Sequence, residues 1–207
     1  MLSIVIQAGG ESRRMGKDKG LVDFLGRPLI ARIVERLLPI ADELLVTTNR
    51  PEAYQFLGVP LFADLVSGRG ALGGLYTALI SARHPLVGVV ACDMPFISPR
   101  LMATERDILE ATRADVAVPR TEYGLEPFHA IYRRDNCLPP LQSALQAGKW
   151  RVDSWFSQVR LQIISLPEIQ KVDPHLLSYR NVNTPEELAE AAQLAKEIDG
   201  TDGCPGL

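Results

Sequence analysis

The sequence predicts an α/β protein: a mostly parallel sheet flanked by helices. Three observations carry that expectation. Up to about residue 112, short apolar runs rich in β-branched residues alternate with segments of helical periodicity, as in parallel strands joined by helical crossovers. Two of those runs, 2–6 and 86–91, stop at a glycine pair and at an aspartate, where parallel sheets place ligands. Hydrophobic residues make up 46% and charged residues 23% of 207, enough to bury a full core in one domain.

Each element follows in order. Leu2 to Ile6 reads as a buried first strand, and Gly9 to Asp23 as a long, polar, glycine-rich loop of the kind that is usually functional. Pro28 opens a helix with Leu29, Ile30, Ile33, Val34, Leu37 and Leu38 on one stripe. Leu44 to Thr48 reads as strand two and Pro51 to Phe56 as a short helix, and Leu61–Phe62 is a brief strand ending at Asp64. Ser67 to Gly74, a second glycine-rich stretch, leads into a helix bearing Leu75, Leu79 and Ile80. Leu86 to Ala91 is the most strand-like run; it ends in Cys92-Asp93-Met94-Pro95 and is followed by a helix over Pro99 to Thr112. Beyond residue 113 the expected strands are Asp115 to Val118, Glu126 to Tyr132 and Leu161 to Leu166, and the expected helices Leu138 to Gln146 and Val152 to Phe156. Thr184-Pro185-Glu186-Glu187 is a capping box with proline at the first helical position, opening a helix with Leu188, Ala191, Ala192, Ala195 and Ile198 on one face. The whole reads as one Rossmann-like domain over 1–199, with 200–207 as a flexible tail.

Composition narrows the function classes. No apolar run approaches the roughly 20 residues of a membrane-spanning helix, and MLSIVIQAGG lacks the basic start of a signal peptide. The formal net charge of −3 disfavours a general nucleic-acid binder. Cys92, Cys137 and Cys204 form no CxxC pair, which suits a reducing cytoplasm.

The strongest chemical signal is residues 7–19, QAGGESRRMGKDK. A strand runs into Gly9 and Gly10, whose amides can approach an anion closely. Arg13, Arg14, Lys17 and Lys19 against Glu11 and Asp18 give this loop a charge of +2 in an acidic chain, which suits a polyphosphate. The first loop lacks P-loop spacing, and neither glycine-rich stretch is read as a dinucleotide-binding fingerprint. Asp93, at the carboxyl end of a buried strand, is placed for a ligand or a magnesium ion accompanying phosphates, or for capping the helix that follows. Cys92 beside it reads as core packing. His129 reads as a structural or substrate-pocket residue, because a phosphate nucleophile is already anionic and needs no base.

These residues carry a specific resemblance. AlaGlyGly at 8–10, ArgMetGly-x-AspLys at 14–19, GlyArgProLeuIle at 26–30, Asn49-Arg50, Asp64 with GRGALGGL at 68–75, CysAspMetPro at 92–95, GluProPhe at 126–128 and AsnValAsnThrProGluGlu at 181–187 together resemble the MobA-type nucleotidyltransferases, the molybdenum cofactor guanylyltransferases. The match covers nearly the whole chain. It implies a nucleotidyltransferase fold and transfer of GMP from GTP to the phosphate of molybdopterin, with release of pyrophosphate. It implies GTP contacts at Gln7, Ala8, Gly9, Gly10, Arg13, Lys19, Asn49, Asp64, Gly73 and Asp93, with Asp93 the Mg2+ ligand and Lys19, Arg14 and Asp93 catalytic. GTP is expected on the 1–112 half and the acceptor on the 113–199 half, where Glu126, Lys149, Trp150 and Arg151 lie and Trp150 or Trp155 either stacks on a pterin or packs in the core. Asn183 is expected to bond locally and close the site, or to touch the ligand or metal. Two positions depart from the pattern: Gln7 stands where leucine is most common, and Ala71 where proline is frequent. A cytidylyltransferase on the same cofactor, another small-molecule phosphate nucleotidyltransferase and a non-catalytic nucleotide sensor stay open at this point. So do protein partners among cofactor-biosynthesis or molybdoenzyme-maturation proteins.

Overall fold

The computed structural model describes residues 1–9, 18–66 and 68–201, and the backbone alone at 199–201. Its strands are β1 (Leu2–Gln7), β2 (Asp23–Phe24), β3 (Arg27–Pro28), β4 (Glu43–Thr47), β5 (Leu61–Phe62), β6 (Leu86–Ala91), β7 (Val116–Thr121), β8 (Gly124–Leu125), β9 (His129–Arg133) and β10 (Leu161–Ile164). Its helices are α1 (Leu29–Leu37), α2 (Gly70–Ser81), α3 (Pro99–Thr112), α4 (Arg134–Gln146), α5 (Leu166–Gln170) and α6 (Pro185–Thr201).

One sheet runs in the order β10-β7-β9-β6-β1-β4-β5, with β8 paired to β7 and a separate two-stranded β2-β3 ribbon. β1 pairs in parallel with both β4 and β6, and β10 in parallel with β7. β9 runs antiparallel between β6 and β7, so the two halves share a single sheet. The period of two along β1 fills both faces: Ile4 and Ile6 join the core under α1, α3, α5 and α6, while Val5 joins the core under α2 and α4. Strands buried on both faces read as continuous apolar runs, which is why β1, β4 and β6 stand out in the sequence.

Several expectations are corrected. Leu38 and Ile80 point to solvent rather than into the core. The short helix at 51–56 is two 3₁₀ turns, Pro51–Ala53 and Gln55–Leu57. The strand expected from Glu126 starts only at His129, because the His129 N–H folds back onto the Glu126 carbonyl at 3.0 Å in a turn. α4 starts at Arg134 and passes through Pro139 and Pro140; the carbonyls that lose a donor belong to Asp135 and Asn136, both exposed. Val152 to Phe156 forms turns, with a 3₁₀ turn at Phe156–Gln158. The chain from Leu161 leaves the sheet after Ile164, and α5 takes over behind the Ser165–Glu168 capping box. Gly68, Gly70 and Gly73 do meet the G-x-G-x-x-G spacing, against expectation, but five residues separate them from β5, so they do not form a strand-to-helix phosphate turn. α6 begins as expected: the Glu187 N–H donates to Thr184 Oγ1 at 3.1 Å, and the Thr184 N–H returns to Glu187 Oε2 at 3.2 Å. Ala191 and Ala195 are fully buried beneath it. Among the described residues, no helix is long and apolar enough to cross a membrane.

Candidate active site

The carboxyl ends of β1 and β6 lie side by side, the Cys92 N–H donating to the Gln7 carbonyl at 3.1 Å. Above them opens a cavity of about 320 Å³ lined by Gln7, Ala8 and Gly9 after β1, Asp18 and Lys19, Gly70 and Ala71 from α2, Ala91, Cys92 and Asp93 after β6, and Phe128 before β9. Segments far apart in sequence meet there because parallel strands all end on the same edge.

Three polar side chains are tied together at this edge. Lys19 Nζ donates to Asp93 Oδ2 at 2.8 Å and also to Asn183 Oδ1. Lys19 sits at the start of a 3₁₀ turn whose cap is Asp18, and Asp18 is itself held by the Tyr54 hydroxyl at 2.5 Å. Asn183 is presented by the α6 cap, its N–H donating to Glu187 Oε2 at 2.6 Å, and the Val182 N–H donates to the Asp93 carbonyl at 2.9 Å. Lysine and aspartate are both mostly buried, with side-chain exposures of 24% and 13%. Asp93 Oδ1 is buried and has no hydrogen-bond partner among the described residues. A hard carboxylate oxygen left bare beside a cleft suits a magnesium ion, which takes one or two protein carboxylates and completes its shell with substrate phosphates and water. No group of three or more His, Cys, Asp or Glu side chains that could hold a metal ion occurs among the described residues.

The expected site residues are distributed as follows. Gln7, Ala8, Gly9, Lys19 and Asp93 line the cavity. Asn49 and Asp64 lie just beyond the lining as a locked pair: Asn49 Nδ2 donates to Asp64 Oδ2 at 2.9 Å, and the Asp64 N–H donates to Asn49 Oδ1 at 3.2 Å. The Asp64 carboxylate comes within 3.6 Å of where a Cβ on Gly9 would stand. Gly73 is buried in α2, where a Cβ would stand 3.0 Å from the Val66 carbonyl, so its small size serves helix packing. Gly10, Arg13 and Arg14 lie outside the described residues. Gly70, Ala71 and Phe128, which the sequence offered within motifs, and Asp18, which it offered within the charged loop, also line the cavity, as does Ala91, for which it assigned no site role.

Cys92 lines the cleft, and burial pushes its thiol well above the ordinary range. His129, Trp155 and Trp150 are not among the cavity-lining residues. His129 is fully buried 2.9 Å from Glu105 Oε1, with the Tyr179 ring 4.7 Å from its own. Trp155 is core, packed against Tyr132 and Phe156. Trp150 is 63% exposed, with the Arg69 guanidinium 5.4 Å over its ring.

Residues 4–161 match the family described as the MobA-like NTP transferase domain. A molybdenum cofactor guanylyltransferase from Desulfosudis oleivorans is 36% identical over 197 residues, covering 94% of this chain and 96% of that protein. Its counterpart from Shewanella amazonensis is 32% identical, covering 93% and 96%. Among solved structures, molybdopterin-guanine dinucleotide biosynthesis protein A from Archaeoglobus fulgidus superposes with a TM-score of 0.82 at 24% identity, covering 94% of this chain and 99% of that one. A CMP:2-keto-3-deoxy-manno-octonic acid synthetase complexed with CTP superposes at 0.70 with 18% identity, covering 95% and 99%. At these identities the two structures speak to the fold alone.

Proposed function

The chain belongs to the MobA-like NTP transferase family, and from that premise we propose that it is a molybdenum cofactor guanylyltransferase, transferring GMP from GTP to the phosphate of molybdopterin and releasing pyrophosphate. The observation that carries the chemistry is the Lys19–Asp93–Asn183 cluster, with one bare aspartate oxygen, at the strand ends of the cleft.

In this reading Asp93 would hold Mg2+ through its bare Oδ1, and the ion would supply positive charge that neutralises the phosphates. Asp93 orients the Lys19 ammonium through Oδ2, and Asn183 holds it through a second hydrogen bond to Oδ1. Lys19 thus points a localised positive charge at the reacting phosphorus without having to be ordered during the reaction, the preorganisation that dominates phosphoryl transfer. The acceptor phosphate is already an anionic nucleophile, so no side chain has to remove a proton. Gly9 lets backbone approach the nucleotide, Arg13 and Arg14 add positive charge for the phosphates, and Asn49 with Asp64 supplies hydrogen-bonding groups for the nucleoside. The acceptor enters from the 113–199 half. A cytoplasmic setting fits two free, buried cysteines, Cys92 and Cys137.

The test incubates the protein with molybdopterin, Mg2+ and each nucleoside triphosphate in turn and follows pyrophosphate. Release with GTP is the expected result. Release only with CTP would replace the guanylyl assignment with a cytidylyl one, and no release with any nucleotide would overturn the transferase reading.

A further inference from the structure

Tyr54 is fully buried, at the junction of the two 3₁₀ turns that follow β4. Its N–H donates to the Pro51 carbonyl and its own carbonyl accepts the Leu57 N–H, both at 3.0 Å, so the side chain is carried on a held backbone. The hydroxyl donates to Asp18 Oδ1 at 2.5 Å. A Cβ on Gly20 would stand 2.8 Å from the same hydroxyl oxygen and 3.3 Å from the ring. The phenol therefore lies against the residue before Lys19 and the residue after it. Burial first, and the Asp18 carboxylate with it, keep the phenol proton well above the ordinary tyrosine range, so the group acts as a hydrogen-bond donor and not as an acid.

Lysine is a point charge on a flexible four-carbon stem, so the place of its ammonium depends on both ends of that stem. The far end of Lys19 is tied to Asp93 and Asn183. The near end is set by the 3₁₀ turn Lys19–Leu21, which is three residues long. Such turns have poor hydrogen-bond geometry and take much of their order from an aspartate cap. Here Asp18 Oδ1 accepts the Gly20 N–H at 3.2 Å to make that cap, and the same oxygen takes the Tyr54 hydroxyl. One carboxylate oxygen thus joins the turn to the core.

We propose that Tyr54 is a positioning residue for Lys19: through Asp18, its hydroxyl seats the turn from which the ammonium is aimed. This rests on the transfer reading above and adds to it a residue outside the cavity lining. The strand beside β1 then takes part in the chemistry at one remove, because the segment after β4 fixes the base of the lysine.

The experiment measures kcat and KM for GTP by pyrophosphate release, with the unfolding midpoint, in the wild type, Tyr54→Phe, Lys19→Ala and the double variant. Tyr54→Phe keeps the ring and removes the donor. It should lower kcat about tenfold, less than the roughly 10² that a 1 Å misplacement can cost, because the far end of the lysine stays tied. KM for GTP should stay close to that of the wild type. In the Lys19→Ala background the same substitution should change kcat by less than about twofold, since the group it positions is gone. Gly20→Ala, whose methyl displaces the phenol oxygen, should lower kcat in the same way and add little to Tyr54→Phe; it reads the same link if Tyr54→Phe does not fold. An equal loss with and without Lys19, or a lower unfolding midpoint with kcat unchanged, would overturn the inference and leave the transfer reading standing. Absence of pyrophosphate from the wild type with every nucleoside triphosphate would remove both.

Discussion

Two charged pairs tie the central sheet to the C-terminal segment, and they have opposite characters. Lys19–Asp93, joined to Asn183, stands at the cleft, partly exposed and with one oxygen bare. Glu105–His129, beneath Tyr179, is fully buried between α3 and β9. The first keeps an open position beside a cavity and can meet a ligand. The second is sealed in protein and can only hold the structure in one arrangement. Pairing alone does not mark function; what marks it is unused bonding capacity at a surface a substrate can reach.

The largest expected effect that would break this contrast lies in the sealed pair. Glu105→Ala removes the counter-charge of a buried imidazole and should cost about 3–5 kcal/mol in denaturant unfolding, with the turnover of the folded fraction preserved. A loss of turnover without a loss of stability would place that pair in the chemistry. Next, Asp93→Asn should leave the unfolding midpoint near that of the wild type and lower turnover by about 10²–10³, the scale of losing one preorganised electrostatic group. Near-normal turnover at saturating Mg2+ would count against the metal assignment. Asn183→Ala sharpens the first pair further: freeing one side of Lys19 should reduce kcat about tenfold, the size of one charge-assisted hydrogen bond, with little change in KM for GTP. An effect on KM alone would make Asn183 a binding residue.

The smallest effect is in pH. Burial by itself would lower the His129 pKa, but the Glu105 carboxylate outweighs it and holds the imidazole above its ordinary value, while burial raises the Glu105 carboxyl despite the histidine. A raised folded pKa means that the folded chain keeps a proton the unfolded chain has released. The stability this gives is complete below the unfolded histidine value of about 6.5 and is lost as pH rises toward the folded one. Unfolding midpoints measured from pH 6 to 9 should therefore fall in the wild type and level out in His129→Gln. Identical slopes would show that the pair does not carry the shared proton.

Much of the first half was legible because its strands are buried on both faces and end at glycines or aspartate. Val5, Ile6, Val89 and Val90 are core by any reading of the sequence, and Asp93 falls where they stop. The second half was less legible for local reasons. The helix expected from Leu138 starts four residues earlier, at Arg134, with Pro139 and Pro140 inside α4, and the turn at Glu126 to Phe128 delays β9 by three residues. The site was legible in its parts and not in its joins. Asn183 was read as closing the site or touching the ligand, but no periodicity announces that it grips Lys19 across 164 residues of sequence. Gly73 was legible as a glycine, and the crowding that requires one, Arg69 Cβ at 2.9 Å and the Val66 carbonyl at 3.0 Å from where a Cβ would stand, was not.

That last join also orders events in time. A contact across 164 residues closes one of the longest loops the chain contains, and the entropy of closing it is recovered only when the intervening sheet is already in place. The lysine-aspartate-asparagine clamp is therefore a late arrival in folding. A half-folded chain lacks the grip that holds Lys19. Competence thus begins when α6 docks, and the helix farthest in sequence from the first loop becomes the proofreader of whether the rest has folded.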